Sequence, residues 1–345
     1  MPDPVTNGRL PISVVLPTLN AMSLLPGHVA GMREWLDLVE EVVVVDSEST
    51  DGTREYIERH IDHGQLRMFS RPRGLYQAWN FGIAQVRSPW TYISTVGDAM
   101  SREGLQHLHA VATDLGAGVV ISPPRFVDEA GAPIRAPVWP VHRLLRMASA
   151  APPRMLGRWL VFCLGMVTIA EAILGSSASN LYRSDCLQRS PFPLDCGMAG
   201  DTAWGLANAM RVDIALTSRI VSTFRIHEKS YDLSPYRIED MGERMESLAA
   251  RSLDEALAGD AQLRLAPELA LIQAMVEQRT ASRRHQVQLS RIRRNEPPWI
   301  LRPAAWRARI DRNRARRAYR QLTLDFLARY CGRSRARAAL RDLKR

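Results

Sequence analysis

The chain has 345 residues, 46% of them apolar, which is enough for one large α/β domain with an extension. Its four cysteines (163, 186, 196 and 331) form no C-x-x-C pair and none stands at zinc-site spacing from a histidine. This argues against a disulfide framework or a structural metal and fits a reducing cytosol. The net charge of +10 is concentrated at one end: residues 279–345 hold 21 Lys and Arg against four acids (+17), while residues 1–278 hold 25 basic and 32 acidic side chains (−7). An anionic partner is therefore expected for the tail alone. Met1 to Arg9 carries no apolar core, so a secretory leader is not expected.

In chain order, Ile12 to Leu16 is a β-branched apolar run ended by Pro17 and reads as a buried strand. A helical stretch follows through Leu38, then Glu41-Val-Val-Val-Val-Asp46 forms a second buried strand. The polar turn Ser47 to Gly52 leads into a helix over 53–60, and 66–69 fits a third strand. A helix over 74–86 carries Leu75, Trp79 and Ile83 at i, i+4, i+8. Trp90 to Val96 is a fourth strand running into Gly97-Asp98; a helix over 101–114 and a strand over 118–122 complete five αβ repeats. Such alternation predicts a mostly parallel sheet with helices on both faces. Frequent prolines make 123–153 an irregular loop. Residues 159–175 are strongly apolar, but they are short for a bilayer and carry Glu171, so a buried or interfacial helix is expected. Residues 179–182 are strand-like, 200–210 helical, and everything beyond Tyr236 helical, with apolar residues stepping at Met241, Met245, Leu248 and at Leu265, Leu269, Ile272.

Open α/β sheets bind ligands at the carboxyl ends of their strands. Three polar groups fall there: Pro17-Thr18-Leu19-Asn20, Asp46, and Asp98. A carboxylate at such an end can accept hydrogen bonds from a base or ribose, or hold Mg²⁺ or Mn²⁺ against a diphosphate. Asp46 and Asp51 are equally explained as turn formers in Asp-Ser-Glu-Ser-Thr-Asp-Gly. Three acids or polar loops at corresponding strand ends favour a ligand site.

These segments resemble the family 2 glycosyltransferases. Val14-Val-Leu-Pro-Thr-Leu-Asn20 is similar to their first strand and loop. Val43-Val-Val-Asp-Ser-Glu-Ser-Thr-Asp-Gly-Thr53 is similar to their Val-Asp-Asp-Gly-Ser-Thr-Asp-Gly-Thr signature. Gly74-Leu-Tyr-Gln-Ala-Trp-Asn-Phe-Gly-Ile83 resembles the helix that follows, and Thr95-Val-Gly-Asp98 stands in the place of the metal-binding Asp-x-Asp. Gly200-Asp-Thr-Ala-Trp204 stands where the family keeps its acidic base, and Phe224-Arg-Ile-His-Glu-Lys-Ser230 resembles a late Arg-x-His segment. The six run in family order from Pro11 to Ser230.

The resemblance implies a GT-A domain over 11–232, an Arg-rich helical extension over 233–345, and inverting transfer of a sugar from a nucleotide diphosphate sugar, a UDP-sugar first, to a glycan or lipid-linked hydroxyl. It implies that Pro17, Thr18, Asn20, Asp46, Ser49, Gly74, Asn80, Gly97 and Arg225 surround the donor, with Asp46 on the base. Asp98 and His227 would hold a divalent cation, Mg²⁺ or Mn²⁺, and Asp201 would be the catalytic base. Trp204 and Asn180 are candidate acceptor contacts, although the helical position of Trp204 suits the core better. His227 alone would read as an ordinary loop histidine; Arg225 and Ser230 beside it favour a donor role.

Two positions depart from the family. Val96 replaces the first acid of Asp-x-Asp, which weakens the case for a metal, and Ser47 stands where a second Asp is common, which leaves the base open. The tail, with Arg283-Arg284, Arg293-Arg294 and Arg314-Ala-Arg-Arg317, fits a solvated helical surface, a protein partner, or an anionic membrane surface at the cytoplasmic face. Nucleic acid fits less well, since aromatic interleaving and a reading module are lacking. Two other classes of function remain: a non-catalytic GT-A-like binding protein, and a basic nucleic-acid-binding protein.

Overall fold

The computed structural model describes residues 8–135, 138–148, 153–169, 171–226, 238–295 and 303–341. The first half alternates strand and helix as its pattern requires: β1 (Leu10–Thr18), α1 (Leu25–Met32), β2 (Val39–Asp46), α2 (Thr53–His60), β3 (Leu66–Ser70), α3 (Leu75–Gln85) and β4 (Trp90–Ile93). After β5 (Ala99–Met100) comes α4 (Arg102–Leu115), begun by Ser101, whose Oγ accepts from the Gly104 amide at 3.0 Å, and ended by Gly116 at φ 62°. Next come β6 (Val119–Ile121), β7 (Arg125–Val127), α5 (Pro140–Met147), β8 (Arg154–Met155), α6 (Arg158–Val167), β9 (Asn180–Arg183), α7 (Ser184–Arg189), α8 (Gly200–Asn208), β10 (Ile214–Leu216) and β11 (Ser222–Arg225). Four helices close the chain: α9 (Ile238–Gly259), α10 (Ala261–Leu265), α11 (Leu269–Asn295) and α12 (Pro303–Arg341), the last broken at Gly332.

The main sheet has the order β3-β2-β1-β4-β9-β6-β10-β8, and β5-β11-β7 form a smaller one. β3, β2, β1 and β4 are mutually parallel, as are β6 and β10. β9 lies antiparallel between β4 and β6, and β8 closes the edge antiparallel to β10. Strand alternation divides the core. Val14, Leu16, Val42 and Val44 face a layer with α1, α2 and α4, whereas Val15, Val43 and Val45 face a larger layer on the other side. α3, α6 and α8 belong to that larger layer, as do Met245, Ile272 and Phe326 from the C-terminal helices. Gly82 on α3 sits so close to the sheet that an added Cβ would stand 2.6 Å from Val15 Cγ1.

Several expectations change, among them the fourth strand, which ends at Ile93 rather than Val96. The helix through Leu38 is the short α1 followed by a single 3-10 turn at Leu36–Leu38. The proline-rich 123–153 stretch is not uniformly irregular: it holds β7 and α5, because Pro140 occupies the first turn of a helix, where its missing N–H costs nothing. The strand expected to stop before Pro17 continues to Thr18, with Pro17 in register with Val45. It is tolerated there because β4 accompanies β1 only to Val15, so the N–H that Pro17 lacks has no ladder partner on that side. The apolar 159–175 run is helical only in its first part, the buried α6, which ends at Val167, and no helix among the described residues is long and apolar enough to cross a membrane.

Candidate active site

Because β1, β2 and β4 are parallel, the loops after Thr18, Asp46 and Ile93 emerge at one edge of the sheet. The first two are stitched together by side chains. Asp46 is 2% exposed, and its Oδ1 accepts from the hydroxyls of Thr18 (2.8 Å) and Ser49 (2.6 Å), while Oδ2 accepts from the Ser49 amide (2.9 Å). The Ser49 hydroxyl accepts in turn from the Asn20 amide at 2.8 Å, and Asn20 Oδ1 accepts from the Thr50 amide at 2.9 Å. Asn20 holds a left-handed backbone, φ 45°, which asparagine tolerates better than most residues. Thr18, Asn20, Asp46 and Ser49 are thus brought together. Three of the roughly four acceptor positions of the Asp46 carboxylate are already used, so it shapes this loop pair as well as offering what remains to a ligand.

The second group forms beyond β4. Gly97, at φ 102°, permits a tight turn in which the Asp98 amide donates to the Thr95 carbonyl at 3.0 Å. The Asp98 side chain turns inward, 5% exposed, and Oδ1 accepts from the backbone amide of Arg225 at 2.9 Å. The Arg225 guanidinium reaches back to the Gly97 carbonyl at 3.4 Å and donates to the Glu129 carbonyl. Burial pushes the Asp98 pKa up to about 7, and Arg225 only partly offsets it. Beneath this turn His28, on the buried face of α1, pairs with Ser94 Oγ at 2.9 Å and bonds the Asp98 backbone. Burial lowers the His28 pKa to about 4, so the ring is neutral near pH 7. The Tyr92 phenol is fully buried beside Asp98, and burial followed by that carboxylate raises its pKa.

The third group is built on α3, whose amino end lies at the same sheet edge because it follows β3. Gly74 precedes it, and Tyr76 in its first turn packs flat against Gly200: an added Cβ at Gly200 would meet the Tyr76 ring at 2.5 Å. The Tyr76 hydroxyl donates to the Met198 carbonyl at 3.1 Å and borders Asp201. Asp201 lies in the first turn of α8, where Oδ1 accepts from the Thr202 amide at 2.6 Å; Ala199, not Asp201, occupies the cap position. Burial raises the Asp201 pKa above the ordinary carboxylate range, against the hydrogen bonds of Thr202 and Tyr76.

Other candidates fall elsewhere. Trp204 is 0% exposed, its indole N–H donating to the Ser190 carbonyl within a cluster with Tyr182 and Phe192. It is a core residue and presents no face to an acceptor. Asn180 is also 0% exposed, donating to the Leu174 carbonyl and the Tyr182 hydroxyl, so it too is removed from any acceptor surface. Asn80 spends both ends of its amide on the Phe192 backbone, at 2.8 and 2.9 Å, docking that loop onto α3. His227 lies outside the described residues. Tyr76 and His28 were not singled out in the sequence. For His28 a signal existed, a histidine on the same helical face as Leu25, Val29 and Met32.

A divalent cation needs several hard oxygen ligands. Among the described residues no three His, Cys, Asp or Glu side chains converge, and Asp98 supplies one buried carboxylate with an oxygen already taken by the Arg225 amide. The described residues do not by themselves fit a cation site.

Residues 13–173 match the family model described as glycosyl transferase family 2. Comparison with curated proteins found no match. Among solved structures, S. aureus TarS 1-349 in complex with UDP-GlcNAc is similar at 17% identity, with a TM-score of 0.56, over 96% of this chain and 88% of that one. The mannosyltransferase PcManGT from Pyrobaculum calidifontis, in complex with GDP-Man and Mn²⁺, is similar at 18% identity with a TM-score of 0.51, over 100% of this chain and 89% of its own. The chain thus folds in the GT-A manner, and residues 13–173 are similar to glycosyl transferase family 2.

Proposed function

We propose that this protein is an inverting glycosyltransferase, which moves a sugar from a nucleoside diphosphate donor, a UDP-sugar first, to the hydroxyl of a glycan or lipid-linked acceptor. The observation that carries the reading is Asp201. It is a partly buried carboxylate held against Tyr76, at the sheet edge that also bears Asp46 and Asp98, with its pKa raised toward the working range of a general base. The loops clamped by Asp46 form the nucleoside end of the site. Thr18, Asn20 and Ser49 line it, and the Arg225 guanidinium supplies positive charge toward the diphosphate.

The reaction is one displacement. Asp201 takes the acceptor proton as that oxygen bonds the anomeric carbon from the face opposite the nucleotide. The bond from that carbon to the diphosphate oxygen breaks with its electron pair, and the nucleoside diphosphate leaves. No protein nucleophile is required. The rate should rise with pH through the elevated pKa of Asp201, because only the ionised form accepts a proton.

Asp201→Asn tests the assignment. The amide oxygen can still accept from Thr202, so the melting temperature and donor affinity should hold while turnover falls by roughly 10²–10⁴. Retained turnover with a normal melting curve would remove Asp201 from the mechanism and turn attention to Asp195 or to Glu228, which lies outside the described residues. The lone Asp98, without a first acid, favours one rival, a binding protein that has lost catalysis; that protein would bind donor and never release the diphosphate.

A further inference from the structure

The basic tail forms an antiparallel pair of helices. Gln286 on α11 meets Arg312 on α12 at 2.7 Å, and Arg279 meets Tyr319 further in, so the two helices run in opposite directions. Near the body the arginines are used internally: Arg279 and Arg283 both bond Glu246 on α9, at 2.9 and 2.6 Å. Toward the far end this changes. Only a small apolar seam joins the helices there, with Leu289 against Ala305 and Ala308. On the opposite side of α12, one turn apart, Trp306 is 52% exposed and Ile310 55% exposed. Around them Arg307, Arg309, Arg314, Arg316, Arg317 and Arg320 are all exposed, and Asp311 is the one acid between residues 303 and 324. None of these six arginines is in an ion pair among the described residues.

We propose that this outward face of α12, centred on Trp306 and Ile310, docks on an anionic lipid surface. An indole and a branched aliphatic chain on one convex helical face can enter the headgroup boundary, while flanking guanidinium groups pair with lipid phosphates. Duplex or single-stranded nucleic acid would use the arginines but leave Ile310 in water. The excess of positive charge matches an anionic bilayer and is opposed by one half-buried carboxylate. The site lies away from Asp46, Asp98 and Asp201 in the chain, and the inference stands whether or not the transfer reading does.

The test uses the full chain, without donor, in co-sedimentation with vesicles of phosphatidylcholine alone and of phosphatidylcholine with phosphatidylglycerol. The parent should bind only the anionic vesicles, less tightly as salt rises. Replacing three exposed arginines together (Arg307→Gln, Arg314→Gln, Arg317→Gln) should weaken binding roughly 100-fold, at about 1 kcal/mol for each charge near the surface. Trp306→Ser with Ile310→Ser should weaken it by about tenfold or more through lost apolar burial. The three arginines are exposed, so the melting curve of the arginine variant should match the parent, and the apolar variant is compared at a temperature where its own melting curve shows it folded. Equal vesicle binding by the parent and both variants would overturn the proposal. So would an absence of vesicle binding together with tight binding to DNA or RNA that the arginine variant loses and the apolar variant keeps.

Discussion

The buried Asp98 carboxylate makes a demand on stability whose pH dependence can be isolated. Its folded pKa is about 7 against an ordinary 3.8, so between those values the native protein holds a proton that the unfolded chain has released. Stability contributed by this group is therefore lost as pH rises through that window, at up to about 1.4 kcal/mol per pH unit, with a ceiling near ~4 kcal/mol. His28 beneath it acts in the opposite sense. Its pKa is lowered from 6.5 to about 4, so the unfolded chain holds the extra proton and stability rises with pH over an overlapping range. The parent alone should thus show a muted profile. Asp98→Asn removes one of the two contributions while keeping an oxygen to accept from the Arg225 amide. Urea unfolding of parent and variant between pH 4.5 and 7.5 should show the variant gaining on the parent as pH rises, by about 2–4 kcal/mol at the top. A difference that stays flat across that range would refute the reasoning, and with it the view that Asp98 is a buried, reluctantly ionised group.

Further outcomes follow from the same geometry. Asp46→Ala strips three hydrogen bonds from Thr18 and Ser49, so it should lower the melting temperature and weaken nucleotide affinity by roughly 1–3 kcal/mol in calorimetry; unchanged affinity would remove Asp46 from the donor site. Donor titrations in EDTA and in Mn²⁺ test Asp98 as a cation ligand: Asp98→Asn should abolish any tightening by Mn²⁺, and tightening of the variant equal to that of the parent would remove Asp98 from that role. Trp204→Phe should cost stability through the lost Ser190 hydrogen bond and the smaller ring, and leave the acceptor KM unaltered. A raised KM with an unchanged melting curve would restore Trp204 to the acceptor site.

How far the sequence could be read depended on whether a signal was local. The strands Val39–Asp46 and Leu10–Thr18 are runs of β-branched residues bounded by turn chemistry, and the polar residues at their ends fall where parallel strands must place them. β9 is four residues long, and nothing in its own pattern says that it will insert antiparallel between β4 and β6. The prolines of 123–153 hid α5 because proline marks a helix start as readily as a loop. Within the site, Thr18, Asn20, Asp46 and Ser49 were legible as a motif. The hydrogen bonds that tie Thr18 and Asn20 to Asp46, Ser49 and Thr50 were not, since those join residues about 30 apart in sequence. The helical position of Trp204 already suited the core, where it lies, whereas Asn180 was a candidate sugar contact because residue type alone does not report burial. The Tyr76 ring against Gly200 joins α3 to α8 across more than a hundred residues, beyond the reach of any periodicity.

The central claim, transfer from a nucleoside diphosphate sugar, is tested most directly by measuring nucleoside diphosphate release from a panel of UDP- and GDP-sugars, each with an oligosaccharide or lipid-linked acceptor. Parent and Asp201→Asn are assayed side by side, with thermal stabilisation by the same donors read in parallel. At least one donor should stabilise both proteins, with acceptor-dependent diphosphate release by the parent and release lower by roughly 10²–10⁴ in the variant. Stabilisation of both proteins by a nucleotide sugar, with no release by the parent on any acceptor, would contradict it and leave a GT-A protein that binds without transferring.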